Sequence, residues 1–182
     1  MHEPPSTFRK HDARQYNSIL AGLTGLTPGT TYSARAYAIN LYGTTYTEPA
    51  FTFTTLTLLE AWRQQYFGTT ANSGSAADTA DPDGDGNANL FEYLAGLVPT
   101  NPASRFVCRI EKVPGFPLLK NIAFSPMVAG RTYVVKTKAS LTDSTWLPLS
   151  SSSTSENGTE RTVADLNAGT GPRFYHVEIT LP

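Results

Sequence analysis

Residues 81–92 read Asp-Pro-Asp-Gly-Asp-Gly-Asn-Ala-Asn-Leu-Phe-Glu. Oxygen-bearing side chains recur at every second position, Asp81, Asp83, Asp85, Asn87 and Asn89, and Glu92 closes the run. A short loop that wraps a hard cation needs this arrangement. Carboxylates stand at its first, third and fifth positions and a glycine, Gly86, at the sixth; Asn87 lends a backbone carbonyl at the seventh. Asn89 follows at the ninth position and Glu92 at the twelfth, where a glutamate grips the ion with both oxygens. Pro82 fixes φ early in the loop, and Gly84 and Gly86 permit turns that a Cβ would resist. Calcium suits a bidentate glutamate and carbonyl ligands; magnesium prefers fewer protein ligands in a tighter octahedron. The plain alternative is a solvated acidic turn, since Asp-Gly pairs form turns readily. Such a turn has no need of Glu92 at that offset.

Charge distribution bears on the choice. No Lys or Arg lies between Arg63 and Arg105, whereas Asp78, Asp81, Asp83, Asp85 and Glu92 all do. The segment carries −5 in a chain of net charge −1, so the remainder sums to +4. Carboxylates roughly 5 Å apart repel by about 3 kcal/mol per pair at an effective dielectric of about 20. A dication would offset that repulsion, and no cationic side chain is near in sequence.

The loop lies in a helical segment. Leu58, Leu59, Trp62 and Tyr66 recur at helical spacing, and Gly68 stops the run. Ser75-Ala-Ala-Asp78 has the form of a capping box, which predicts a short helical turn before the loop. Asp78 then either caps that turn or joins the site as a further ligand. After the loop, Leu90, Phe91, Leu94 and Leu97 make an apolar stripe that ends at Pro99, which places Glu92 in the first turn of a helix. Ala88 at the eighth position is a poor residue for coupling two such loops, and the chain has no second copy. A solitary structural site is expected rather than a paired sensor.

Strands are expected on either side. Tyr32, Ala34, Ala36 and Ala38 alternate with Ser33, Arg35 and Tyr37 after the Pro28-Gly29 turn, and a second strand covers residues 50–55. Residues 7–23 suggest an earlier one. From residue 105 onward, six short runs read as strands: 105–112, 118–124, 132–138, 145–149, 159–164 and 173–181. Residues 150–155 read as a flexible polar loop. Asn157-Gly158-Thr159 reads as a turn or a glycosylation acceptor.

Two of these stretches resemble known families. Leu23-Thr-Gly-Leu-Thr-Pro-Gly-Thr-Thr-Tyr-Ser-Ala-Arg-Ala-Tyr-Ala-Ile-Asn40 with Phe51-Thr-Phe-Thr-Thr55 resembles the latter half of a fibronectin type III domain, which implies that Tyr32 forms a tyrosine corner. Such a domain has about seven strands over about 100 residues, and about half is present. The resemblance therefore implies a fragment or a mis-assigned start, with an inner face and strand edges left uncovered. The run from Trp62-Arg-Gln-Gln-Tyr-Phe-Gly68 through Ala77-Asp-Thr-Ala and the loop to Tyr93 resembles a single-loop calcium module of large secreted bacterial proteins, distantly akin to dockerin and thrombospondin type 3 repeats. A cellulosomal dockerin carries two loops, so a cohesin ligand is not implied. Tyr133-Val-Val, Ser140-Leu-Thr-Asp-Ser-Thr-Trp146 and Pro172-Arg-Phe-Tyr-His-Val-Glu178 resemble the β-module that often follows such a segment.

His2 and His11 lie in a polar stretch, and His176 sits in a strand pattern on the side of Phe174 and Glu178. No Gly-x-Ser-x-Gly elbow, phosphate-cradling loop or histidine zinc pattern occurs. The clustered carboxylates are committed to the cation. Cys108, the only cysteine, excludes an intramolecular disulfide and reads as a buried core thiol. Trp146 and Tyr175 could stack on a sugar if exposed, or belong to a core. The absence of a basic run argues against nucleic acid, and no stretch approaches the roughly 18 apolar residues of a membrane span. The N-terminus lacks signal-peptide features. A calcium site of modest affinity fits the millimolar calcium outside cells.

The expected fold is therefore mostly β with a small α insert. A partial fibronectin-type sandwich (1–56) is followed by a helical calcium-loop linker (57–104) and a C-terminal antiparallel β-sandwich (105–182). The expected role is non-enzymatic: a calcium-binding spacer of an extracellular or cell-surface multidomain protein, its partners the flanking domains. The alternative is a module for polysaccharide or another cell-surface ligand, appended to a catalytic domain elsewhere.

Overall fold

The computed structural model describes residues 22–181, and the chain divides after Thr55 into two compact units. The suggested strand from residue 7, His2 and His11 lie outside the described residues. Taken together, the two units are mostly β, with several small antiparallel sheets.

In the first unit, β1 (Thr31–Ala34) pairs antiparallel with β4 (Phe51–Thr54), and β2 (Tyr37–Asn40) pairs with β3 (Gly43–Tyr46). The single strand expected from Tyr32 to Ala38 is thus two strands. The break at Arg35-Ala36 is where the chain changes partner. Thr47 N–H donates to Ala36 O at 2.8 Å, and Ala36 N–H donates to Thr47 Oγ1 at 3.1 Å. Thr27 N–H donates to the Tyr32 hydroxyl at 2.8 Å, and the Tyr32 ring stacks on Phe53 at 5.8 Å. Tyr37, Ile39, Leu41, Tyr42 and Phe51 are all exposed.

The second unit opens with α1 (Leu58–Phe67). Thr57 caps it in a reciprocal box with Glu60, and Gly68, left-handed at φ 69°, ends it. The Trp62 ring meets Tyr66 at 5.3 Å and Tyr93 at 5.7 Å, both edge-on. A single 3-10 turn, Gly74–Ala76, precedes the loop, and α2 (Asn89–Ala95) follows it. The expected capping box at Ser75 does not form: the turn begins at Ser73 without a side-chain cap. Asp78 is drawn away to Arg63, whose Nη2 lies 2.6 Å from its carboxylate. Ending at a left-handed Gly96, α2 stops short of Pro99.

The remaining strands form two sheets. One has the order β5 (Val107–Val113), β6 (Phe116–Ser125), β10 (Glu160–Asp165), β9 (Ser152–Asn157); the other runs β11 (Phe174–Thr180), β7 (Thr132–Lys138), β8 (Leu147–Pro148). Ile122, Phe124 and Val163 from the first sheet and Val135 from the second make one buried cluster, with Phe106, Tyr133, Tyr175 and Val177 packed against it. Burying such side chains stabilises by about 1.5–3 kcal/mol each relative to exposure.

Two expectations fail in these sheets for one reason, their edges. Residues 152–157 form β9, where a flexible loop was expected. A strand of Ser, Thr, Glu and Asn shows no apolar alternation, because β9 pairs only with β10 and is exposed along its length. Cys108 is exposed, not a core thiol. It lies on β5, the opposite edge, whose residues are exposed as far as Lys112. Asn157 begins the two-residue turn from β9 to β10, with Gly158 at φ 61°.

Candidate metal centre

The loop between the 3-10 turn and α2 is organised by Asp81. Its Oδ1 accepts from Gly84 N–H and its Oδ2 from Gly86 N–H, both at 2.9 Å. Both glycines adopt positive φ, 74° and 94°, which the sharp reversals require. Asp83 Oδ1 accepts from Asp85 N–H at 3.2 Å, and Asp85 Oδ1 from Asn87 N–H at 2.8 Å. Each carboxylate thus shapes the backbone that follows it. As a result, Asp81, Asp83 and Asp85 converge, with one oxygen from each within 4.8 Å of the others. Three converging carboxylates could hold a metal ion.

The other expected ligands are placed differently. Glu92 lies outside that 4.8 Å group. Its side chain is wholly buried, at 0% exposure, and neither carboxyl oxygen has a hydrogen-bond partner among the described residues. Burial is the main cause that raises its pKa from 4.5 to about 7, and the charges of Asp83, Asp85 and Asp81 add to it. Asn89 is also buried. Its Nδ2 donates to Ser75 O at 2.8 Å and Ala77 O at 2.7 Å, while its Oδ1 and Asp83 Oδ2 are buried without partners among the described residues. Asn87 turns its side-chain amide onto Asp85, 2.9 Å from Oδ1 and 3.1 Å from Oδ2. Buried polar atoms without partners are costly, and a cation among them would satisfy several at once.

The stripe Leu90, Phe91, Leu94, Leu97 does not define the buried face of α2. Leu90 and Phe91 are exposed, and the buried helical positions are Asn89, Glu92, Tyr93 and Ala95. The inner face is therefore mixed, with polar Asn89 and Glu92 beside Tyr93 and Ala95. Asp78 is not among the converging aspartates. It accepts from Arg63 Nη2 at 2.6 Å and from Asn72 Nδ2 at 3.0 Å, and its N–H donates to Asn72 Oδ1 at 2.8 Å. The acidic segment is therefore less isolated than linear spacing suggests. The two arginines that bracket it fold back, Arg63 onto Asp78 and Arg105 to 3.9 Å from Asp85. Neither was legible as a partner, because 15 and 20 residues separate the pairs.

The aromatics that might have stacked on a sugar do not share a platform. Tyr175 packs against the core, and its hydroxyl donates to the buried Asp165 at 2.9 Å. Trp146 meets His176 edge-on at 4.4 Å and Lys138 Nζ at 4.7 Å. Tyr175 and His176 are neighbours on β11, so these contacts lie on opposite faces of that strand. Among the described residues, no helix is long and apolar enough to cross a membrane.

No protein-family model, curated protein or solved structure matches this chain.

Proposed function

We propose that the chain is a calcium-binding structural segment of an extracellular multidomain protein, without catalytic activity of its own. Asp81, Asp83, Asp85 and Glu92 supply carboxylate oxygens, Asn87 a backbone carbonyl, and Asn89 its side-chain oxygen. Calcium then serves as a folding cofactor for residues 57–104, because its binding offsets the repulsion that disfavours the compact metal-free loop. The flanking strands are read as part of a fibronectin-type domain and as a small sandwich, which need no chemistry of their own.

The observation that carries this reading is Glu92. A carboxyl at 0% exposure with two unpartnered oxygens is a costly feature for a mere acidic turn. It is an ordinary one for a ligand of a dication. Thermal unfolding with calcium and with chelator tests it. Calcium is expected to raise the Tm of the wild type and to leave Glu92→Gln unchanged. A wild type whose Tm ignores calcium would overturn the proposal.

A further inference from the structure

We infer that Arg131 is a positioning residue for the metal site: it latches α2 onto the C-terminal sheets, so that calcium at Glu92 and docking of the helix stabilise each other. This rests on the calcium reading above and goes beyond it, since it makes the β strands part of the site's energetics.

A helix of seven residues does not hold itself in water. Something outside α2 must fix its orientation, and with it the direction of Glu92. Its C-terminal carbonyls, orphaned by the end of the helix, find that partner in Arg131. Arg131 Nη2 donates to Tyr93 O at 3.2 Å and Nε donates to Leu94 O at 3.1 Å. The same guanidinium lies over the Tyr93 ring at 5.2 Å. Two residues beyond Leu94, the left-handed Gly96 sits so close to the turn before β7 that a Cβ there would lie 2.2 Å from Val128 Cγ2. Val128 and Arg131 thus belong to one turn, and it grips one helix end.

That turn is in turn pinned to the core. Val128 N–H donates to the Tyr133 hydroxyl at 2.8 Å, and the Tyr133 ring stacks on the fully buried Phe124 at 5.6 Å. On the helix side, Glu92 O accepts from Gly96 N–H and, at 2.8 Å, from Leu97 N–H. The residue that offers its carboxyl to the loop is therefore tied by its backbone to the cap that Val128 and Arg131 hold. Coupling between metal and docking follows by linkage, and it is reciprocal.

Isothermal titration of calcium into the full chain tests this, on the wild type, Arg131→Met, Arg131→Lys and Val163→Ala. Loss of the latch is expected to weaken calcium binding about tenfold in Arg131→Met, in the range of other outer-shell partners of metal ligands. Simple electrostatics predicts the opposite sign, since removing a cation near an acidic site favours a dication. Arg131→Lys keeps the charge but not the two-pronged geometry, and is expected to fall short of the wild type. Val163→Ala, a core truncation that spares the latch, is expected to bind as the wild type does. Wild-type affinity in Arg131→Met overturns the inference alone; no calcium binding by the wild type overturns the calcium reading and this inference with it. Should Arg131→Met fail to fold, hydrogen exchange on the wild type decides. Calcium is expected to slow exchange at residues 128–133 as well as 78–95, and slowing confined to 78–95 overturns the inference.

Discussion

Glu92 carries the sharpest consequence of a single residue. Its folded pKa, near 7, exceeds the ordinary 4.5 because burial penalises the charged form. In the metal-free protein the folded state therefore holds a proton that the unfolded chain releases. Stability from this group is present below pH 4.5 and is lost as pH rises through about 7. Calcium competes with the same proton, so its apparent affinity falls on acidification through about pH 7. Denaturant midpoints of the chelated protein from pH 4 to 8, beside calcium titrations over the same range, measure both slopes. A chelated protein that gains stability over that interval would contradict the assignment. At this scale the spacing of Asp81, Asp83 and Asp85 was legible, since local residue types dictate how a loop hydrogen-bonds itself. The fates of Asp78, Arg105 and Cys108 were not. Each depends on what approaches from elsewhere in the chain, or fails to.

Elements announced themselves where local chemistry decided them. Helical spacing ending at Gly68 marked α1, and alternation between turn residues marked β7 at both ends. The cap of α1 is spelled by Thr57-Leu-Leu-Glu60. The structure makes both halves of that box, with Thr57 N–H donating to Glu60 at 2.8 Å. Thr57→Ala is expected to cost about 1 kcal/mol, read as a lowered denaturant midpoint with calcium affinity unchanged. Gly96→Ala is a harsher change, because it adds a Cβ at φ 71° and drives it into Val128. Its melting temperature is expected to fall below that of Thr57→Ala, and a milder effect would mean that the turn yields easily. Where tertiary context ruled instead, the pattern misled. An exposed edge strand such as β9 needs no apolar face, and α2 buries Asn89 and Glu92 while Leu90 and Phe91 stay exposed.

Across the whole molecule, the mostly β character was visible from the strand runs. Less visible was that the helical segment and the later strands form one compact unit. Long-range packing, such as Phe91 edge-on to Phe106 at 6.2 Å and Phe106 beside Phe124 at 6.0 Å, leaves no periodic trace. Phe124→Ala should cost about 3–5 kcal/mol, seen as a urea midpoint shift reported by tryptophan fluorescence. A loss under 1 kcal/mol would mean that the cluster around it is not the core. Time acts on this molecule as well as temperature. Aspartyl-glycine bonds rearrange when the glycine nitrogen attacks the preceding side-chain carboxyl, and Asp83-Gly84 and Asp85-Gly86 are two such bonds. Both nitrogens already donate to Asp81. The carboxylate that opens the loop thus also holds in place both nitrogens through which these bonds would age.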